Sequence, residues 1–186
     1  MTFRPRQERH VVANTFEKRR RPAVIVVMGV ASSGKTSLGE RLAERVGWPF
    51  RDADSFHPPE NVAKMAGGTP LNDDDRKPWL AAIAAWIDDL RAKGEHGIVT
   101  CSALKRAYRQ VIVGDRPDVA LVYLKGSREL IGRRMAARQH HFMPPALLDS
   151  QFAALEEPGE DEKPLVVSVE DSKDAIVQDV VERLGL

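Results

Sequence analysis

The first sustained hydrophobic stretch in the chain is 23–28, Ala-Val-Ile-Val-Val-Met, a mostly β-branched run without polar alternation. Such a run suits a strand buried on both faces, as in a parallel sheet, because alternation arises only where one face meets water. It predicts the central strand. Leu38, Leu42, Ala43 and Val46 then recur at helical spacing, and Gly47 supplies a stop signal. The alternation continues with a short strand at 49–52, helices over 59–66 and 74–93, a strand at 97–101 and a helix over 104–113. A strand at 119–124, helices over 127–139 and 145–155, a strand at 165–169 and a last helix over 173–184 complete it. Five strands separated by helices predict an α/β fold, a three-layer αβα sandwich around a five-stranded parallel sheet, since right-handed crossovers bury both sheet faces.

Residues 1–22 break the pattern: they lack apolar periodicity and are rich in Arg, Gln, Glu and Asn, so they read as a floppy basic tail with no assigned function. Residues 23–186 then form one domain, as a length of 186 allows. The formal net charge is +1, but the tail holds seven Lys or Arg against two Glu, leaving 21 basic and 25 acidic residues from Ala23 on. A mildly acidic body offers no clustered positive face for gripping nucleic acid. The single cysteine, Cys101, excludes an intramolecular disulfide framework and a cysteine-built metal site, and fits a reducing cytoplasm. No apolar run approaches the roughly 20 residues that span a bilayer, so no membrane partner is expected. Arg19-Arg20-Arg21 before the apolar run mimics a signal peptide, but the motif that follows needs that run as a buried strand.

That motif is Gly29-Val30-Ala31-Ser32-Ser33-Gly34-Lys35-Thr36, which fits G-x-x-x-x-G-K-[ST] between a predicted strand and a predicted helix. Glycines let the backbone wrap a phosphate with its N–H groups, and the helix opening near Lys35 aims its positive end at the same anion. In this reading Gly29 through Ser37 bind ATP, Lys35 reaches the β- and γ-phosphates, and the Thr36 hydroxyl serves Mg²⁺. Asp52 and Asp54 lie two apart at the C-terminal end of the second strand, the edge at which open α/β sheets bind ligands. Asp52 is assigned to Mg²⁺ and Asp54 to the base that takes the proton of an attacking hydroxyl. A polar turn with capping Asp is the bland alternative.

Arg134 and Arg138, four apart with Arg133 beside them, share a helix face suited to nucleotide phosphates, although a solvated face would look the same. The Gln, His and Pro residues that follow suggest a mobile lid around 134–145 that excludes water during transfer. Asn72-Asp73-Asp74-Asp75-Arg76 precedes a helix and on spacing alone reads first as a cap. Cys101 is expected buried at its strand end without a catalytic role, and His10 and His96 as exposed bystanders.

These residues resemble the gluconokinase family, small kinases related in fold to shikimate kinase and the nucleoside monophosphate kinases. Beyond the phosphate loop the resemblance is carried by Asp52-Ala53-Asp54-Ser55-Phe56-His57-Pro58, Lys64-Met65 and the block Pro70-Leu71-Asn72-Asp73-Asp74-Asp75-Arg76-Lys77-Pro78-Trp79-Leu80. It continues through Cys101-Ser102-Ala103-Leu104-Lys105, Tyr108-Arg109, Tyr123-Leu124-Lys125-Gly126, His141-Phe142-Met143, Gln151-Phe152 and Glu157-Pro158. It implies the P-loop NTPase fold of the nucleoside monophosphate kinases, and ATP-dependent phosphorylation of D-gluconate at its 6-hydroxyl to 6-phosphogluconate. Mg²⁺ and a cytoplasmic homodimer are implied as well. By analogy with shikimate kinases, Arg76 would pair with the substrate carboxylate, which a planar guanidinium meets with two parallel hydrogen bonds. Lys105, Arg109 and the Ser102–Ala103 backbone would hold the polyol, and His57 a hydroxyl. A kinase of the same fold with a shikimate-like acceptor is the nearest alternative, against which the Pro70–Leu80 block argues. A nucleotide-dependent switch lacks an Asn-Lys-x-Asp guanine-reading motif.

Overall fold

Strand β1 (Val24–Met28) is fully buried at all five positions, which only a central place in a two-sided sheet provides. The computed structural model describes residues 21–137 and 145–186. After β1 come α1 (Lys35–Val46), β2 (Phe50–Asp52), a 3₁₀ turn (Ala53–Phe56), α2 (Pro59–Ala66), α3 (Asp73–Lys93) and β3 (Gly97–Thr100). Then follow α4 (Arg106–Ile112), β4 (Val119–Lys125), α5 (Arg128–Ala136), α6 (Pro145–Ala154), a 3₁₀ turn (Glu160–Glu162), β5 (Leu165–Ser168) and α7 (Lys173–Leu184). The sheet is parallel throughout in the order β2-β3-β1-β4-β5.

Two apolar layers enclose it. Leu38 and Leu42 of α1, Ile131 of α5 and Val180 of α7 pack with Ile25 and Val27 on one face. On the other, Leu80, Ile83 and Ile87 of α3 and Ile112 of α4 meet Val24, Val26 and Val99. Because β1 has β3 on one side and β4 on the other, the chain connections diverge at its C-terminal end and open a crevice there.

The expected helix over 104–113 begins later, at Arg106, for a local reason. Ala103 adopts a left-handed φ of 47°, which turns the chain out of β3 before a helix can start, and Lys105 is still extended. Glu156 then caps α4, accepting from the Arg106 N–H at 2.6 Å. His96 is not an exposed bystander: its ring stacks on Trp48 with centroids 4.3 Å apart, and its Nδ1 lies 3.2 Å from the Pro22 carbonyl. The end of the basic tail is likewise engaged, with Arg21 Nε donating to the Gly185 carbonyl at 3.0 Å.

Arg109, expected at the acceptor, is instead a core residue at 2% exposure. Its Nε and one terminal nitrogen donate to the two Glu162 carboxylate oxygens at 2.6 and 2.8 Å. The other terminal nitrogen reaches the carbonyls of Ala103, Leu104 and Glu156 at 3.1, 3.2 and 2.9 Å. A guanidinium so enclosed has nothing left for a ligand, and it holds the strained Ala103 turn from beneath. Glu162→Ala would leave that cation buried and unpaired, a loss of about 3–5 kcal/mol in unfolding free energy. Arg109 also holds the Glu162 carboxyl below its ordinary 4.5. The pair therefore stabilises fully above that value and is lost as pH falls through the depressed one. The stability gap between the parent and Glu162→Gln should accordingly narrow in acid, measured by urea unfolding from pH 7 downward; a gap independent of pH would remove the ion pair as its source.

Candidate active site

The phosphate loop starts where β1 ends. Gly29 (φ 149°) is forced by contact, since a Cβ there would lie 2.8 Å from Ser33 Oγ and 3.0 Å from the Leu124 carbonyl. Gly34 (φ 103°) brings the chain into α1 without a side-chain cap, which leaves the first helical N–H groups aimed at the crevice. Within the loop, Ser33 Oγ is buried with no hydrogen-bond partner among the described residues. A buried hydroxyl left unpaired is costly, and its position inside a nest of N–H groups fits a phosphate oxygen. Lys35 Nζ donates to the Val30 carbonyl at 3.0 Å, folded back over the loop. Beside the loop lies a cavity of about 300 Å³ lined by Ser33, Gly34 and Ser37, by Leu124 of β4, Arg134 of α5 and Ile176 of α7. Arg134 is fixed there by a hydrogen bond to the Val169 carbonyl. Aliphatic walls next to a phosphate nest suit a flat base joined to a phosphate chain.

Asp52 closes β2 and collects three donors. Thr36 Oγ1 and Thr100 Oγ1 donate to its Oδ2 at 3.1 and 3.0 Å, and the Asp54 N–H donates to its Oδ1 at 3.0 Å. This joins the phosphate loop, β3 and the first 3₁₀ turn at one carboxylate. Burial, and next the Asp52 charge, push the Asp54 carboxyl above its ordinary range, while His57 and Lys35 draw it down. His57 lies flat on Trp79, ring centroids 4.5 Å apart, and Trp79 Nε1 donates to the Ala53 carbonyl at 2.7 Å. Burial and, less strongly, Arg76 lower the His57 pKa, opposed by Asp54, so the ring is neutral at physiological pH.

The start of α3 serves both readings of the Asn72–Arg76 block. Asn72 and Asp75 form a capping box, each side chain accepting the other's backbone N–H at 2.8 Å. Lys64 of α2 pairs with Asp75 at 2.5 Å, and Asn61 Nδ2 donates to the Asp75 carbonyl at 2.7 Å, which fixes α2 on the cap. Asp73 turns away from the cap. It accepts from Lys105 Nζ at 2.7 and 2.9 Å and from the Tyr108 hydroxyl at 2.5 Å, with Arg76 3.8 Å away.

The loop residues 29–37, Asp52, Asp54, His57, Arg76, Ser102 and Lys105 thus gather at the C-terminal edge of the sheet, with Arg134 on the cavity wall. Ser102 takes part through its carbonyl, which accepts from the Gly29 N–H at 3.4 Å. Arg109 is the exception, withdrawn into the core. Arg138 and most of the expected lid lie outside the described residues. Cys101 is buried and its thiol is pushed up to about 12, so it stays protonated and inert. The sequence gives no sign of the part played by Thr100, of the pairing of Asp73 with Lys105 and Tyr108, or of the Gln151 side-chain amide oxygen that accepts from the Ala31 N–H at 2.6 Å. A threonine closing the strand beside Asp52 is the one legible feature among them.

Comparison with known proteins fits this geometry. The shikimate kinase family model matches residues 31–184. The gluconokinase of Gluconobacter oxydans (strain 621H) is 43% identical over 161 residues, covering 87% of this chain and 90% of the relative. The thermoresistant gluconokinase of Escherichia coli (strain K12) is 39% identical over 160 residues, covering 86% and 91%. A crystal structure of a gluconokinase from Sinorhizobium meliloti 1021 superposes with a TM-score of 0.79 at 45% identity, covering 90% of this chain and 94% of that one. A shikimate kinase from Bacteroides thetaiotaomicron reaches a TM-score of 0.60 at 17% identity over 88% and 99%, a likeness of fold alone. Since that fold persists at such low identity, agreement near 40% along almost the whole of these relatives reflects more than architecture, and this chain belongs to the gluconokinase family.

Proposed function

We propose that the protein transfers the γ-phosphoryl group of ATP to the 6-hydroxyl of D-gluconate, giving 6-phospho-D-gluconate and ADP. The observation that carries the reaction class is the Thr36–Asp52–Asp54 linkage, which sets an acid pair against the phosphate loop. The acceptor rests on the relatives. In the transfer the acceptor oxygen bonds to the γ-phosphorus, the bond from that phosphorus to the β–γ bridging oxygen breaks, and the hydroxyl proton passes to Asp54. The loop N–H groups, Ser33 Oγ and Lys35 bind the phosphates, and the cavity by Leu124 and Ile176 takes the base. Arg134 contributes positive charge on that wall, and Arg138 belongs to the same reading. Thr36 and Asp52 would hold Mg²⁺, which when bound neutralises phosphate charge. No group of three or more His, Cys, Asp or Glu converges among the described residues, which favours an ion that shares its ligands with phosphates and water.

On the acceptor side Arg76 meets the gluconate carboxylate, while Lys105, oriented by Asp73, and neutral His57 bond to hydroxyls. A cytoplasmic homodimer, a tail over 1–22 and a lid around 134–145 on the kinase domain over 23–186 complete the reading. Among the described residues no helix is long and apolar enough to cross a membrane.

The direct test is coupled ADP release with ATP and Mg²⁺ against D-gluconate, shikimate, other sugar acids, AMP and no acceptor. Turnover with gluconate is the expected result; turnover with another acceptor alone would replace the substrate and keep the kinase. Lys35→Ala should abolish turnover with an unchanged circular dichroism spectrum, and retained activity would remove the loop from the mechanism. Asp54→Asn should lower kcat by roughly 10²–10⁴, the usual scale of general-base loss, with ATP binding kept. Because the Asp54 pKa is raised and only its ionised form accepts a proton, the acid limb of kcat/KM should fall above 3.8 in the parent and vanish in the residual activity of Asp54→Asn.

A further inference from the structure

The phosphate loop is braced by a side chain that the mechanism above does not use. Gln151, on α6, accepts the Ala31 N–H at 2.6 Å although the two residues are 120 positions apart. Ala31 lies in the first half of the loop, ahead of buried Ser33 and of Lys35 and Thr36 that open α1, so the amide oxygen holds the loop by its leading half. Gln151 sits in the last turn of α6, and the residues just after it are anchored elsewhere. Phe152, next to it, and Leu155, one turn on, pack against the core, and the Glu156 N–H donates to the Leu104 carbonyl at 2.9 Å. Glu156 also caps α4, and its carbonyl is held by buried Arg109 at 2.9 Å. That end of α6 is thus tied to residues 103–106, the loop that presents Ser102 and Lys105 to the acceptor.

We infer that Gln151 is a positioning residue for phosphoryl transfer, the tip of a brace that runs from the acceptor loop through the last turn of α6 to the phosphate loop and sets the spacing of donor and acceptor. The inference rests on the kinase reading but not on which acceptor is used. An in-line displacement is sensitive to this spacing, because a misplacement of about 1 Å can cost a hundredfold in rate. Nucleotide binding is less exposed, since the groups that wrap the phosphates lie in the second half of the loop.

Two variants test it. Gln151→Met keeps the length and helix preference of the side chain without a strong acceptor, and Gln151→Glu keeps an acceptor oxygen while adding charge near the phosphates. For Met, kcat should fall roughly ten- to a hundredfold with the KM for ATP within about twofold of the parent. For Glu, kcat should recover to within roughly fivefold of the parent, with a raised KM for ATP from charge repulsion. The melting temperature of each variant, followed by circular dichroism, separates loss of fold from loss of positioning. A stably folded Met variant with the parent kcat would overturn the inference, as would equal loss of kcat in Met and Glu or a change confined to the KM for ATP in Met. The assays use whichever acceptor the parent turns over, so failure of gluconate as substrate counts against the proposed function and leaves this test in force.

Discussion

Three donors from three parts of the chain converge on the Asp52 carboxylate: the Thr36 hydroxyl from the phosphate loop, the Thr100 hydroxyl from β3 and the Asp54 N–H from the turn after β2. A carboxylate accepts several hydrogen bonds at once, so one side chain can register loop, sheet and turn against one another. The same contact bears on the chemistry, because burial opposes the ionisation of Asp54 and the neighbouring Asp52 adds to the effect. Lys35 and His57 act in the other direction. The balance keeps Asp54 basic enough to receive a proton without leaving it an ordinary surface acid.

A second carboxylate, that of Asp73, organises the acceptor side in a comparable way. By holding Lys105 and Tyr108 together, with Arg76 close by, it restrains long side chains whose freedom would otherwise be lost on binding. Two arginines show how placement decides role. The Arg76 side chain is 32% exposed and lies 3.8 Å from the Asp73 carboxylate and 6.0 Å over the Tyr108 ring, whereas that of Arg109 is 1% exposed and saturated by Glu162 and three carbonyls. The first can meet a ligand; the second supports the loop that does so.

The fold was legible because its signals are local. An unbroken β-branched run at 24–27 can be little else than a buried parallel strand, and the capping residues and glycines around α1, α2 and α3 mark their ends within a residue or two. The phosphate loop and the Asp pair were legible for the same reason, a fixed spacing beside a fixed element. Arg109 reads as a surface cation along the chain because its partners, Glu156 and Glu162, lie some fifty residues away and no local pattern announces the pairing. His96 with Trp48, Asp73 with Tyr108 and Gln151 with Ala31 are of the same kind. Which residue type sits near a site can be read from the chain, but which way its side chain turns is settled by tertiary packing.

The strand order carries one more consequence. The side chains proposed to face the acceptor come from the connections after β2 and β3, on one side of β1, while the cavity beside the phosphate loop and α1 takes its other walls from β4, α5 and α7. The two halves share little beyond β1, its loop and the α6 connection. Such a division lets inheritance treat them as separate modules. The acceptor half can diverge toward a new alcohol while the energy-supplying half stays as it is, so one scaffold can be diverted to many small-molecule kinases without relearning how to hold a phosphate chain.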